Sequence, residues 1–252
     1  MSVLEVKGLK KRREQVGSAF ELRVPEFRLE AGRFYGVVGQ SGSGKSTLLD
    51  MLALVMRPTS AERYMMADPR SGRSSDVSQL WAASDERALA EIRKTMCGYV
   101  LQSGGLIGFL TVRQNLEMPF QLIGRVPDTA RIETMAERFG IGTQLDKKPR
   151  HLSGGQRQRV AILRALMLEP PLVLADEPTA AVDQVRARQI AAEFRSLAQE
   201  AQSTIVMVSH DRELLESVAD RIIELSTEVG ANEEAVSTAR WSSFTRVLSP
   251  VS

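Results

Sequence analysis

The segment that most constrains this chain is residues 39–46, GQSGSGKS, which has the form G-x-x-x-x-G-K-[ST]. An apolar run typical of a buried strand precedes it at residues 34–38, and a segment typical of a helix follows at residues 47–56. A phosphate-binding loop requires this context, because glycines let successive backbone N–H groups turn toward phosphate oxygens and the helix N-terminus adds partial positive charge. The sequence therefore predicts a site for a nucleoside triphosphate.

Two side chains at the end of this loop suit particular parts of such a ligand. The Lys45 ammonium is predicted to reach the β- and γ-phosphates, and the Ser46 hydroxyl is predicted to ligate Mg²⁺. The candidate nucleotide-binding residues of the loop are Gly39, Gln40, Ser41, Gly42, Ser43, Gly44, Lys45, Ser46 and Thr47.

Two carboxylates end an apolar run at residues 172–177, LVLADE. A run that is apolar at every position is typical of a parallel strand buried on both faces, and ligands collect at the carboxyl ends of such strands. Asp176 is therefore predicted to hold Mg²⁺ together with Ser46, directly or through water. Glu177 is predicted to accept a proton from the attacking water or to orient it.

A second glycine-containing segment lies at residues 152–159, LSGGQRQR. Its serine is suited to cap a helix, and the two glycines after it allow phosphate to approach the helix N-terminus closely. Because the first loop already holds the phosphates of one nucleotide, this segment is predicted to contact a nucleotide held by another copy of the chain. Its candidate residues are Ser153, Gly154, Gly155 and Gln156.

Composition excludes some classes of protein and leaves others open. The net charge of +2 over 252 residues creates no general field for nucleic acid, and the basic cluster at residues 10–13 is expected to be a solvated strand end. A lone cysteine, Cys97, excludes an internal disulfide and is typical of a reducing compartment. No apolar run approaches the ~20 residues that cross a bilayer. If the protein works at a membrane, another component must hold it there.

The hydrophobic pattern predicts an α/β fold. Apolar and polar residues alternate over residues 2–38, which is typical of strands with one covered face. Residues 111–148 are predicted to be helical, with Thr111 capping one helix. Helix and strand patterns then alternate over residues 153–225, which predicts a parallel sheet covered by helices.

Three segments carry weaker signals. Residues 60–83 are rich in Ser, Arg, Asp, Pro and Gly and are expected to form a loop or a small irregular insert. Ser84 is expected to cap the helix that follows, and residues 226–252, without clear periodicity, are expected to form a loosely attached tail.

The phosphate loop, LSGGQRQR and LADEPT together resemble the nucleotide-binding subunit of an ATP-binding-cassette (ABC) transporter over residues 3–225. The resemblance implies a P-loop NTPase with a mostly parallel sheet, an antiparallel β subdomain on the N-terminal side, and a helical signature subdomain. It implies an ATPase domain at residues 1–225, with the helical subdomain at about 103–168 and a C-terminal tail at 226–252. The implied ligands are ATP and Mg²⁺. The implied partners are a second copy of the chain and an integral membrane permease at the cytoplasmic face of the membrane, with no nucleic acid.

The resemblance also assigns roles to three further residues. The family's glutamine-loop residue falls on Gln102, where it touches Mg²⁺ and senses the membrane subunit. The switch histidine, which contacts the γ-phosphate, falls on His210, and the D-loop aspartate falls on Asp183.

The chain departs from the family pattern at the base-binding position. Many relatives have a tyrosine near Arg12 or Arg13 that stacks on adenine, whereas here either Phe20 or a guanidinium must serve. Ala61 replaces a common glycine, and the spacing from Lys45 to Gln102 is longer than usual.

The cargo is less constrained than the ATPase. Residues 106–116 are similar to the subgroup that serves lipoprotein release, macrolide-type efflux and mechanotransmission permeases. In the family the region near residues 103–120 docks a cytoplasmic helix of the permease, but its apolar residues are equally suited to ordinary core. The alternatives are an import-type ABC ATPase and a soluble ABC ATPase that works on DNA or ribosomes. Binding without hydrolysis is disfavoured because Glu177 and His210 are both present.

Overall fold

The computed structural model describes residues 1–15, 18–180, 182–230 and 234–246. The strands are β1 (Ser2–Gln15), β2 (Ser18–Glu30), β3 (Phe34–Gly39), β4 (Arg63–Ala67), β5 (Ser74–Asp76), β6 (Cys97–Val100), β7 (Leu172–Asp176), β8 (Thr204–Val208), β9 (Arg221–Val229) and β10 (Glu234–Thr245). The helices are α1 (Lys45–Leu52), α2 (Val77–Ala82), α3 (Glu86–Met96), α4 (Val112–Leu122), α5 (Thr129–Arg138), α6 (Gly154–Leu166), α7 (Gln184–Glu200), α8 (Arg212–Val218) and two 3-10 turns, Gly142–Gln144 and Pro149–His151.

All ten strands belong to one sheet, in the order β5-β4-β1-β2-β10-β9-β3-β8-β7-β6. The half that runs from β9 to β6 is parallel throughout. At the other end, β1 is antiparallel to both β2 and β4, and β4 is antiparallel to β5. Strand β10 joins the halves, since it is parallel to β2 and antiparallel to β9. The predicted α/β architecture is confirmed, with the antiparallel part continuous with the parallel sheet.

Two hydrophobic cores cover the opposite faces of the parallel half. Along β7, Val173 and Ala175 enter one core, whereas Leu172 and Leu174 enter the other. This alternation follows from the two-residue repeat of a strand, and burial on both faces requires the continuously apolar sequence.

Helices α4, α5 and α6 form the helical region after β6, and each begins at a polar cap. Thr111 caps α4 as predicted, in a reciprocal capping box with Gln114. Asp128 caps α5, and Ser153 caps α6 in a second capping box, with Gln156. These helices lie within residues 103–168, whose assignment as a separate subdomain stays a prediction.

Residues 60–83 are more regular than the expected loop or irregular insert. They contain β4, β5 and α2, and β4 pairs with β1 through the register Leu4↔Met66. The cap predicted at Ser84 is also wrong by one residue, because the Asp85 side chain accepts from the backbone N–H of Ala88 at the start of α3.

The prediction of a loosely attached tail is wrong for the part that the structure describes. Strand β9 continues through residue 225 to Val229, and β10 lies between β2 and β9 in the sheet. Residues 231–233 and 247–252 of the predicted tail lie outside the described residues. On β10, the Trp241 ring packs against Phe27 (centroids 5.1 Å apart) and Tyr35 (5.6 Å), and the Arg221 guanidinium lies 3.9 Å from the Trp241 ring centroid. Both aromatic and cation–π contacts therefore hold this strand.

No helix in the described ranges combines the length and apolar character needed to cross a bilayer.

Because β10 is part of the sheet, Trp241→Ala is expected to lower the free energy of unfolding by about 1–3 kcal/mol, less than a fully buried Trp→Ala change since Trp241 is half-buried. Urea unfolding followed by circular dichroism measures the change. Val229→Ala is the control on the neighbouring strand, because Val229 is 73% exposed and its truncation is expected to change stability by less than about 0.5 kcal/mol. Equal, negligible effects of both substitutions would contradict the packing of β10.

Candidate nucleotide site

The candidate site forms where four adjacent parallel strands end. In the order β3, β8, β7 and β6, the strands lead into the phosphate loop, His210, the Asp176–Glu177 pair and Gln102. Parallel strands bring their carboxyl ends to one edge of the sheet, so groups far apart in sequence meet there. This edge holds Lys45, Glu177 and His210 in the lining of a single cavity.

The phosphate loop has the backbone conformation that its glycines permit. Gly42 and Gly44 have φ values of +78° and +92°, in the left-handed region that favours glycine. A Cβ atom on Gly44 would lie 2.9 Å from Cζ of Phe20, and one on Gly39 would lie 2.6 Å from Oγ of Ser43. Ser43 Oγ is itself buried and has no hydrogen-bond partner among the described residues. The loop thus offers an unpaired hydroxyl and, at Gly44, a helix start without a side-chain cap, which both suit a phosphate ligand.

Lys45 is buried at the first position of α1. Its Nζ donates to the carbonyl oxygens of Gly39 and Gln40, each at 2.9 Å, which leaves one of its three N–H groups for a ligand. Burial lowers the pKa of Lys45, and the negative charges of Glu177 and Asp176 act in the opposite direction. An added phosphate would act as those carboxylates do and favour the charged ammonium.

Glu177 is held from two sides. Its Oε1 lies 2.6 Å from Nε2 of His210, and its Oε2 accepts from Nε2 of Gln102 at 3.2 Å. Since an ionised carboxylate only accepts hydrogen bonds, the imidazole presents a protonated Nε2 to it. Glu177 also has a φ of +47°, a strained conformation for a residue with a Cβ, of the kind that clusters at functional sites. The structure therefore brings Glu177, predicted to act on the attacking water, together with His210 and Gln102, which the resemblance assigns to the γ-phosphate and to Mg²⁺.

The cavity lined by Lys45, Glu177 and His210 has a volume of about 600 Å³. Arg13 and Phe20 also line it, and the two residues are paired in the β1–β2 register. Phe20 also lies against Gly44, whereas the Arg13 guanidinium contacts the sulfur of Met56 at 3.3 Å. Both expected substitutes for the missing tyrosine are thus next to the phosphate loop.

The candidate residues of the LSGGQRQR segment lie outside this cavity. Ser153, Gly154, Gly155 and Gln156 are absent from the described lining of the cavity, and they form the start of α6, where Ser153 Oγ accepts from the Gln156 N–H at 3.2 Å. Asp183 is also outside the cavity and caps α7, since its Oδ1 accepts from the Arg186 N–H at 3.0 Å.

The donor set suits Mg²⁺. The groups predicted to hold the ion, Ser46, Asp176 and Gln102, offer hydroxyl, carboxylate and amide oxygens, the hard ligands that Mg²⁺ takes. The described residues contain no group of three or more His, Cys, Asp and Glu side chains arranged for a metal.

Two neighbours of the site were not predicted from the sequence. Ser209 Oγ accepts from the Asp211 N–H at 3.0 Å and so shapes the turn that carries His210. Arg164 of α6 donates to the carbonyl oxygens of Gly104 and Gly105, just beyond Gln102. A serine two residues before an aspartate is a recognisable turn signal, but nothing local in the sequence indicates the Arg164 contact.

The family model for the ABC transporter matches residues 22–180. The chain is 39% identical over 196 residues to the macrolide export ATP-binding/permease protein MacB of Azoarcus sp. (strain BH72), covering 77% of this chain and 28% of the relative. It is 38% identical over 216 residues to the pyoverdine export ATP-binding/permease protein PvdT of Pseudomonas savastanoi pv. phaseolicola, covering 85% of this chain and 31% of the relative. It is 34% identical over 226 residues to the methionine import ATP-binding protein MetN of Cupriavidus metallidurans, covering 88% and 62%. The chain thus spans less than two thirds of each relative.

Among solved structures, the fold is similar to the dimeric post-hydrolysis state of the ATP-binding cassette MJ0796 bound to ADP and Pi. The TM-score is 0.75 at 29% identity, and the alignment covers 92% of this chain and 95% of that one.

The loop geometry predicts that Gly44→Ala weakens ATP binding at least about tenfold, because the new Cβ must displace Phe20 or the loop and also occupy a strained φ. Fluorescence titration with a labelled ATP analogue measures the dissociation constant. Gly72→Ala is the matched control, since Gly72, in the turn that connects β4 to β5, has a similar φ of +71° but its Cβ would meet no atom within 4 Å. An unchanged affinity of the Gly44 variant would contradict the role of this loop.

Proposed function

This chain belongs to the ABC transporter family and is an ATPase of that family, and we propose that it drives a separate membrane permease by closing as a dimer on ATP. The observation that carries the proposal is the placement of Lys45, Glu177 and His210 around one cavity while Ser153 lies outside it. Residues 153–156 are remote from the nucleotide site of their own copy, but they can contact the nucleotide of a second copy that packs against them.

Within each site, the hydrolytic groups have separate tasks. The buried Lys45 binds the β- and γ-phosphates, and the preorganised N–H groups of the glycine-rich loop neutralise charge that develops on them. Glu177 accepts a proton from the attacking water at its carboxylate, which His210 and Gln102 hold in place. Ser46, Gln102 and Asp176 would hold Mg²⁺, directly or through water, and the ion would further neutralise the phosphate oxygens.

The dimer is proposed to complete each site. The start of α6 in one copy, with Ser153, Gly154, Gly155 and Gln156, points its N–H groups and partial positive charge at the γ-phosphate held by the other copy. The similarity to the dimeric MJ0796 cassette bound to ADP and Pi supports this arrangement.

An apolar groove supports a membrane partner. It has a volume of about 260 Å³ and lies between α3, α4 and α6, with Met118, Pro119, Leu122 and Tyr99 in its walls. Leu122 is 58% exposed although it is a large apolar residue. We propose that a cytoplasmic helix of the permease fills this groove, with the ATPase at the cytoplasmic face of the membrane.

The direction of transport is a finer proposal. The similarity of residues 106–116 to the lipoprotein-release and efflux subgroup, together with the export names of MacB and PvdT, supports an export or mechanotransmission role. Import is the alternative, supported by the similarity to the methionine importer MetN.

If this proposal holds, Glu177→Gln is expected to lower ATP hydrolysis by about 10²–10⁴-fold, because an amide cannot accept the proton from water. The same variant is expected to remain dimeric in ATP and Mg²⁺, since the closed state no longer reopens through hydrolysis. Phosphate release and light scattering after gel filtration measure the two effects.

Glu213→Gln is the control, because Glu213 is an exposed carboxylate on α8 outside the cavity. A Glu177 variant that hydrolyses ATP like the unmodified chain would remove Glu177 from its role. Failure to dimerise in ATP, even with the permease present, would contradict the two-copy site.

The membrane partner is tested by purifying the tagged chain from detergent-solubilised membranes. A hydrophobic subunit is expected to co-purify with the unmodified chain, and Leu122→Glu is expected to reduce its yield at least about tenfold, because a charge in an apolar interface costs more than 1.4 kcal/mol. Val229→Glu, at a similarly exposed valine on β9, is expected to retain the subunit. Recovery of no membrane protein in any sample would favour the soluble class of ABC ATPase.

A further inference from the structure

Arg164 makes a two-point contact with the segment that follows Gln102. Its Nη1 donates to the Gly105 carbonyl at 2.8 Å, and its Nη2 donates to the Gly104 carbonyl at 3.2 Å. A planar guanidinium can bridge two successive carbonyls in this way, whereas the single ammonium of lysine has no such fork. The contact fixes the backbone after Gln102 to the last turns of α6.

The glycines fit this contact closely. Gly104 and Gly105 have φ values of +76° and +55°, and a Cβ on Gly105 would lie 2.8 Å from Cδ1 of Leu101. A Cβ on Gly104 would be in ordinary contact with Ala161 of α6, at 3.7 Å. The segment therefore lies directly on the helix, with its carbonyl oxygens turned toward Arg164.

Loss of the contact would deprive a half-buried cation of its two protein acceptors. Burial lowers the pKa of Arg164, but a guanidinium remains charged at every physiological pH. The two carbonyls are the hydrogen-bond acceptors that the structure gives this half-buried cation, and an unpaired buried charge is more costly than an unpaired neutral group.

We propose that Arg164 is a positioning residue for ATP hydrolysis, which holds Gln102 within hydrogen-bond reach of Glu177 by fastening Gly104 and Gly105 to α6. This inference rests on the proposed function. Arg164 acts through Gln102, whose Nε2 donates to Glu177 Oε2, and has no contact with the nucleotide loop in the described residues. Arg164 also lines the groove beside Leu122, so a helix bound in that groove would lie next to the guanidinium.

The test compares Arg164→Met, which retains much of the apolar stem but neither donor, with the unmodified chain. We expect kcat for ATP hydrolysis to fall by about 3- to 30-fold, with KM for ATP changed less than about twofold, because the hydrolytic group is misplaced while the phosphate loop is intact. Arg164→Lys is expected to give an intermediate kcat. Arg246→Met is the matched control, since Arg246 also donates to two successive carbonyls, those of Glu216 and Ser217, at the end of α8. Its kcat is expected to stay within about twofold of the unmodified chain.

A double-mutant cycle separates positioning from general loss of structure. In a Gln102→Ala background, Arg164→Met is expected to cause no further fall in kcat, because its effect passes through Gln102. The same fold-loss in both backgrounds, or an unchanged kcat in a folded Arg164→Met protein, would overturn the proposal. If urea unfolding shows that the methionine variant does not fold, the same cycle with Arg164→Lys decides. The unmodified chain and Glu177→Gln are assayed alongside, and equal activity in those two would instead contradict the proposed function.

Discussion

The candidate site depends on the parallel register of β3, β8 and β7. Val208, the last residue of β8, pairs with Val37 on one side and with Asp176, the last residue of β7, on the other, so the carboxyl ends of the three strands lie within about two residues of one another. Burial on both faces enforces this alignment, because a slip of one residue would exchange the side chains that belong to the two cores. The position of Glu177 beside His210 is thus a consequence of packing far from the chemistry.

The same packing sustains conformations and charges that would be unfavourable in isolation. Glu177 occupies a left-handed backbone conformation that costs of order 1–3 kcal/mol for a residue with a side chain. Lys45 loses hydration in its buried position, which lowers its pKa, and only backbone carbonyls and nearby carboxylates compensate it. A triphosphate supplies the missing negative charge, and the proposed dimer brings a second helix N-terminus to the same phosphates. The buried Lys45 therefore favours binding of the triphosphate, and the negative charge of the triphosphate in turn favours the proposed closure of the dimer.

Features with a local cause could be predicted from the sequence, and those that depend on remote partners could not. Strand β7 and the Thr111 cap of α4 could be predicted, because a continuous apolar run and a capping side chain define them locally. Strand β10 was missed since its buried positions include Ser237 and Ala239, which give no hydrophobic alternation, and its pairing with β2 joins opposite ends of the chain. The phosphate loop was found through residue types at fixed spacing. The Arg164 contact was not, because it exists only once α6 packs against the segment after β6.

Helix α6 connects the proposed dimer contact at Ser153 with the Arg164 contact behind Gln102. Its cap, Ser153, is proposed to face the nucleotide held by a second copy, and its last turn places Arg164 on the glycines after Gln102. Thirteen helical residues rise by about 20 Å and, within one helix, hydrogen bonds resist bending. The middle of the helix is buried along Val160, Ile162 and Leu163, so its two ends belong to one packed element. In the proposed dimer, the α6 that closes on the triphosphate of one copy also carries Arg164, which positions Gln102 beside Glu177 at the second triphosphate.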